Sequence, residues 1–271
     1  MIIWLASYPK SGNTWVRAFL ASYLYANSSG TLFEKMSKIR AFPKKNYFEG
    51  IVKEEDIKKN PMIIFKYFIE AQKKYNQNKS LKILKTHNFW GSIDGHEFSN
   101  LENTYGGIYI VRDPRSVAVS HAHHHKNDFQ KSTSNMLNDR TVAFNDKLYM
   151  EARLSWKVNY ISWKKTTMPK IIIKYEDLHK DTFSKFLEVL KFINKFKKIE
   201  VNEDKIKEVI IKCSFNKLSE NEKKIGFNEK KLKENFFRKG SIDEWKTVLK
   251  EDLVKKIEQE CAEEMKELKY I

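Results

Sequence analysis

The 271-residue sequence predicts an α/β fold in which a parallel sheet is covered on both faces by helices. Three observations carry this expectation. Four short apolar runs rich in Ile or Val read as buried strands, and stretches of helical period separate them. After Glu200 the pattern is wholly helical or loop. The length suits one domain over residues 1–271, with no linker and no internal repeat.

The elements follow in order. Strands are expected at Ile2–Ser7, Leu81–Lys85, Gly107–Val111 and Lys170–Lys174. Helices are expected at Asn13–Ala26, Ile63–Tyr75, Ser116–Lys126, Asp146–Thr167 and Asp177–Phe196, where apolar residues recur at helical spacing. Two polar segments, Asn127–Asn145 and Lys217–Phe237, read as irregular.

Hydrophobic residues make up 41% and aromatics 13%, enough for a folded core. The two cysteines, Cys213 and Cys261, form no disulfide framework and no metal-ligand spacing, so a reducing, cytoplasmic setting is expected. No signal peptide is read at the N-terminus, and no run reaches the roughly 18 apolar residues of a membrane span. Net charge is +16, but only seven of the 51 basic residues are arginines. The lysines are interspersed with acids along helical segments, the pattern of a solvated face rather than of a polyanion-binding surface. The few arginines, Arg112 and Arg238 among them, are therefore the informative cations.

The first strand runs straight into Tyr8-Pro9-Lys10-Ser11-Gly12-Asn13-Thr14-Trp15, and a helix follows. A helix N-terminus presents unpaired N–H groups and favours an anion. Gly12 admits close backbone approach, Lys10 adds a mobile charge, and Ser11, Asn13 and Thr14 add donors. An ordinary capped strand–turn–helix needs none of these charges. The ATPase loop places Lys after its second Gly, whereas Lys10 precedes the only Gly. Asp113, the one candidate metal-holding acid after Gly107–Val111, is flanked by Arg112 and Arg115, which favours anion over magnesium binding.

This loop resembles the Tyr-Pro-Lys-Ser-Gly-x-Thr-Trp motif of the sulfotransferases that use 3′-phosphoadenosine 5′-phosphosulfate (PAPS). That family has a single-domain, P-loop-like three-layer fold, and the motif wraps the donor's 5′-phosphosulfate. Three further motifs follow in the family's order. Arg112 and Ser120, eight positions apart after the third strand, are similar to its 3′-phosphate motif. Lys85-Thr86-His87 is similar to the segment carrying its general base. Arg238-Lys239-Gly240, with Trp245-Lys246 downstream, is similar to its C-terminal Arg-Lys-Gly motif, although Asp243 stands where a second Gly is usual. Trp15, Phe215 and Tyr175 fall where the family contacts adenine.

The resemblance implies in-line transfer of a sulfuryl group to a hydroxyl or amine, without a metal. His87 would take the acceptor proton, Lys10 would stabilise the leaving oxygen, and Lys85 would neutralise transferring charge. The acceptor, a small molecule, lipid or carbohydrate, is not legible, nor is the oligomeric state. Two other classes remain as alternatives: a P-loop-type nucleotide or small-molecule kinase, and a basic nucleic-acid-binding protein. The ordered phosphate motifs argue against both, so no nucleic-acid partner is expected. His121, His123, His124 and His125 lack an acidic or Cys partner beside them, and read equally as a pocket border or a solvated helix end.

Overall fold

The computed structural model describes residues 1–78, 80–140, 142–143, 150–227 and 235–271. In chain order its principal elements are β1 (Ile2–Ser7), α1 (Asn13–Leu24), α2 (Phe68–Asn76), β2 (Lys82–Thr86), β3 (Thr104–Val111), α3 (Pro114–His125) and α4 (Phe129–Leu137). These are followed by α5 (Trp156–Lys165), β4 (Lys170–Lys174), α6 (Tyr175–Lys180), α7 (Thr182–Asn194), α8 (Glu203–Lys212), α9 (Phe215–Ile225) and α10 (Glu251–Glu260).

The four long strands form one parallel sheet in the order β2-β1-β3-β4. Successive side chains of a strand face opposite ways. Ile2, Trp4 and Ala6 accordingly join one buried cluster, with Leu84, Tyr109 and Val111. Ile3 and Leu5 join another, with Ile108, Ile110 and Ile173. Burial on both faces explains why β1 reads as a continuous apolar run rather than an alternating one. Helix α1 packs in the second cluster through Val16, Phe19 and Leu20, and α5 in the first through Trp156, Tyr160 and Trp163. The result is the expected three-layer α/β arrangement.

Three segments depart from the sequence reading. The stretch Asn127–Asn145 contains helix α4. Asp128 caps it by accepting from the Lys131 N–H at 2.6 Å, and its buried face is Ser132, Thr133 and Met136. Ser132 donates to the Ala118 carbonyl at 2.7 Å, so small hydroxyl residues pack where apolar ones were sought. Lys217–Phe237 contains much of α9, which buries only Leu218 and Glu222, while residues 228–234 lie outside the described residues. The helix expected over Asp146–Thr167 starts only at Trp156, where Ser155 accepts from the Val158 N–H at 3.2 Å. Before it, Glu151–Ala152 pairs as a short strand with Val142–Ala143, and residues 146–149 lie outside the described residues. Among the described residues no helix is long and apolar enough to cross a membrane.

Candidate active site

The parallel register brings the chemistry to one edge. Leu5 and Ala6 lie beside Lys85 and Thr86, Ser7 beside Ile110, and Val111 beside Lys174. The residues just past these pairs are the Tyr8–Trp15 loop, His87, Arg112 and Tyr175. Each strand thus delivers one functional segment at its C-terminal end, where open α/β sheets bind ligands. A cavity of about 1060 Å³ opens there. It is lined by Lys10, Lys85 and His87, by Gly12, Asn13, Thr14 and Trp15, and by Arg112, Ser120, Tyr175, Phe215, Arg238, Lys239 and Gly240. Of the residues proposed from sequence, Ser11 alone does not line it.

The loop is shaped for close backbone approach. Lys10 and Gly12 both take positive φ, 68° and 103°. A Cβ on Gly12 would stand 2.4 Å from Tyr175 Cδ2. The Asn13 side chain turns back to β1, donating to the Leu5 carbonyl at 3.0 Å and to Ser7 Oγ at 3.3 Å. It fastens the loop to the sheet and leaves anion contact to the main chain. Ser11 Oγ is buried and has no hydrogen-bond partner among the described residues. The Lys10 ammonium rests over the Phe236 ring, 4.1 Å from its centroid.

Arg112 is 7% exposed and stacks on the Tyr175 ring at 4.3 Å. It donates to the Lys10 carbonyl at 3.1 Å and the Ser241 carbonyl at 2.7 Å, while its Nε is buried without a partner. Arg115 is different. It is held by Asp113, with Nη2 2.6 Å from Oδ2, and by Glu258, and Asp113 also caps α3. Asp113 is thus committed to the helix start and to Arg115. That pairing takes Arg115, and Arg112 lines the cavity.

His87 Nδ1 lies 2.7 Å from the Ser7 carbonyl oxygen. A carbonyl can only accept, so the proton sits on Nδ1, and Nε2 keeps a lone pair on a ring that lines the cavity. Burial first, then the nearby Lys85 charge, lower the ring's pKa to about 3, which keeps it neutral. The His87 N–H donates to Glu151 Oε1 at 3.0 Å, and the second Glu151 oxygen accepts from Arg153 Nε at 3.0 Å. Burial disfavours the Glu151 charge, but Arg153 and His87 outweigh it and hold this carboxyl below its ordinary value.

The segment after residue 235 closes the opposite wall. The buried Glu222 carboxylate accepts from the N–H groups of Phe236 at 2.6 Å and Phe237 at 2.9 Å. Gly240 has φ 66°, and a Cβ there would stand 2.6 Å from Phe215 Cδ2. Asp243 is not at positive φ, so the usual second Gly is dispensable in this turn. Tyr175 OH donates to the Gly240 carbonyl at 3.3 Å, and Ser116 Oγ to the Ile242 carbonyl at 2.7 Å.

Of the four clustered histidines, His124 and His125 line the cavity. His124 meets Phe236 edge-on at 5.6 Å, whereas His121 contacts Ser132 and His123 packs on Phe129. Among the described residues no group of three His, Cys, Asp or Glu could hold a metal ion.

Sequence reasoning missed Glu151, Glu222, Glu244 and His179. The last lines the cavity, with its ring 5.1 Å from Trp15 and 4.8 Å from Tyr175. Its position one turn after Tyr175 was the available signal.

Can this site take a nucleotide carrying two phosphates? An unpartnered buried hydroxyl, a glycine pressed on an aromatic ring and an arginine with a spare buried N–H surround the loop, and two further cations face it. Aromatic rings stand between the phosphate-type groups. The residues fit such a donor.

Comparison with known proteins identifies the family. The family model described as "Sulfotransferase domain" matches residues 2–269. The amine sulfotransferase of Oryctolagus cuniculus is 24% identical over 280 residues, covering 99% of this chain and 83% of that protein. Cytosolic sulfotransferase 13 of Arabidopsis thaliana is 25% identical over 268 residues, covering 96% and 76%. The mouse sulfotransferase SULT7A1, solved in complex with PAP, superposes with a TM-score of 0.63 at 18% identity, over 98% of this chain and 84% of that one, which shows the shared fold.

Proposed function

We propose a division of labour among these residues from the premise that the chain belongs to the sulfotransferase domain family, which its match over residues 2–269 establishes. The protein is a PAPS-dependent sulfotransferase. PAPS supplies the sulfuryl group and leaves as 3′-phosphoadenosine 5′-phosphate (PAP). In our reading the loop amides around Gly12 and Thr14, with Lys10, hold the 5′-phosphosulfate end. Arg112, Ser120, Arg238 and Lys239 hold the 3′-phosphate, with Gly240 admitting close approach. Trp15, Phe215 and Tyr175 hold the adenine. Ser11 supports the loop from behind, its hydroxyl available to a phosphate oxygen after a rotamer change.

His87 Nε2 takes the acceptor proton as the acceptor oxygen or nitrogen attacks. Its Nδ1–H stays on the Ser7 carbonyl, so the ring cannot turn away. Lys10 leaves the Phe236 ring to meet charge on the leaving oxygen, and Lys85 neutralises the transferring group. The observation carrying this reading is the convergence of four strand-end segments on one cavity, with the base already in the acceptor tautomer.

We further propose a small-molecule acceptor and a cytosolic setting, in keeping with the amine and cytosolic relatives. Calorimetric titration with PAP, against ATP with magnesium, tests the donor. Tight PAP binding is expected, and tight ATP binding without PAP binding would overturn the assignment. A screen of amines, phenols and alcohols with labelled PAPS then identifies the acceptor class.

A further inference from the structure

Glu244 lines the donor side of the cavity and has no part in the scheme above. It is the only acid lining that cavity among the described residues, against nine Lys and Arg side chains. Its carboxylate is spent on two of them. One oxygen pairs with Arg238 Nη2, and the other lies 3.0 Å from Lys239 Nζ. The Glu244 side chain is 11% exposed, against 32% and 58% for its partners. Burial works against its charge, yet the hydrogen bonds from Arg238 and Lys239 prevail and hold the carboxyl below its ordinary value.

These partners are two of the three cations assigned to the donor's 3′-phosphate. The segment around them is already docked, through Arg112 on Ser241, Ser116 on Ile242 and Tyr175 on Gly240. A two-oxygen anion from the chain itself thus occupies the pair while the strap is closed. A carboxylate and a dianionic phosphate cannot share two cations without strong like-charge repulsion.

We infer that Glu244 is an exchangeable counter-ion for Arg238 and Lys239, displaced by the 3′-phosphate, and so sets how tightly 3′-phosphorylated nucleotides are held. The inference rests on the donor assignment above. Breaking the internal pair offsets part of what the phosphate gains. The chain thereby limits its grip on donor and product alike, and product release is often the slow step of a transferase. A nucleotide lacking the 3′-phosphate leaves the Glu244 pair intact.

The test is calorimetric titration of the wild-type chain and of Glu244→Gln with PAP and with 5′-AMP, which lacks only the 3′-phosphate. The PAP Kd should fall by about tenfold or more in the variant, near 1.4 kcal/mol, whereas the AMP Kd should move by less than about twofold. Glu244→Ala should behave likewise if the Gln variant folds poorly. Weaker or unchanged PAP binding in both variants would mean that Glu244 positions Arg238, and would overturn the inference. Equal tightening of AMP would reduce it to a general charge effect and also overturn it. Failure of the wild-type chain to bind PAP would instead sink the donor assignment on which it rests.

Discussion

Replacing Gly12 with Ala probes the centre of the donor site with one methyl group. Gly12 sits at φ 103°, where an L side chain costs about 1–2 kcal/mol of backbone strain. The new Cβ would stand 2.4 Å from Tyr175 Cδ2 and 2.9 Å from Cε2, well inside contact distance. The ring cannot yield freely. Arg112 stacks on one face at 4.3 Å, and the Trp15 and His179 rings lie at 6.0 and 4.8 Å. Overpacking of this kind costs about 1–3 kcal/mol, so the substitution should destabilise the fold by about 2–5 kcal/mol in all. The displaced ring also loosens Arg112, so PAP affinity should fall at least about tenfold through the loss of a partly buried cation–π contact. Urea unfolding measures the first effect and calorimetry the second. Adding Tyr175→Leu should relieve the clash, making the double variant less destabilised than the sum of the singles by about 1 kcal/mol or more. Strict additivity, or a Gly12→Ala variant within about 0.5 kcal/mol of wild type, would refute the steric argument.

Loss of the base in His87→Asn should cut kcat by about 10²–10⁴-fold while PAP affinity stays within a few-fold, as single-turnover kinetics and calorimetry would show. The pH dependence follows from the ring's lowered pKa of about 3. If neutral His87 is the base, as proposed, the acid limb of kcat/KM should lie below the ordinary value of about 6.5. The same shift makes folding favour the neutral ring. That stability is complete above about pH 6.5 and is lost as pH falls toward 3, so between pH 7 and 5 wild type should lose up to about 2 kcal/mol more than His87→Asn in parallel denaturant titrations. Arg112→Lys should weaken PAP binding by about 1.5–3 kcal/mol, because an ammonium cannot serve the Lys10 and Ser241 carbonyls and a phosphate at once.

The sheet and most of the cavity were legible because their signals are local. A buried parallel strand is a continuous apolar run, and β1 and β4 lie where that run predicts. Phosphate-binding groups cluster at strand ends, so Lys10, Lys85, His87, Arg112 and Tyr175 could be read from short segments that the register then assembles. Two carboxylates escaped because each acts far across the sequence. Glu151 reaches His87, 64 residues away, and Glu222 reaches Phe236 and Phe237, 14 and 15 residues on. In a chain with 35 acids and 51 bases, nothing in composition separates such a residue from a solvated one. Helix α4 was hidden for a related reason: its buried face is mostly hydroxyl, so periodicity in apolar residues is blind to it.

The carbonyl that fixes His87 belongs to Ser7, the last residue of β1, and the phosphate loop begins at the next residue. In the proposed scheme, proton removal and sulfuryl delivery are therefore indexed to the same stretch of main chain. The segment from Phe33 to Lys44, which forms part of the cavity wall, hydrogen-bonds to the outer edge of the sheet, through Phe42 N–H to Lys85 O and Lys85 N–H to Arg40 O. The two halves of the proposed reaction axis share one rigid reference, the C-terminal end of β1.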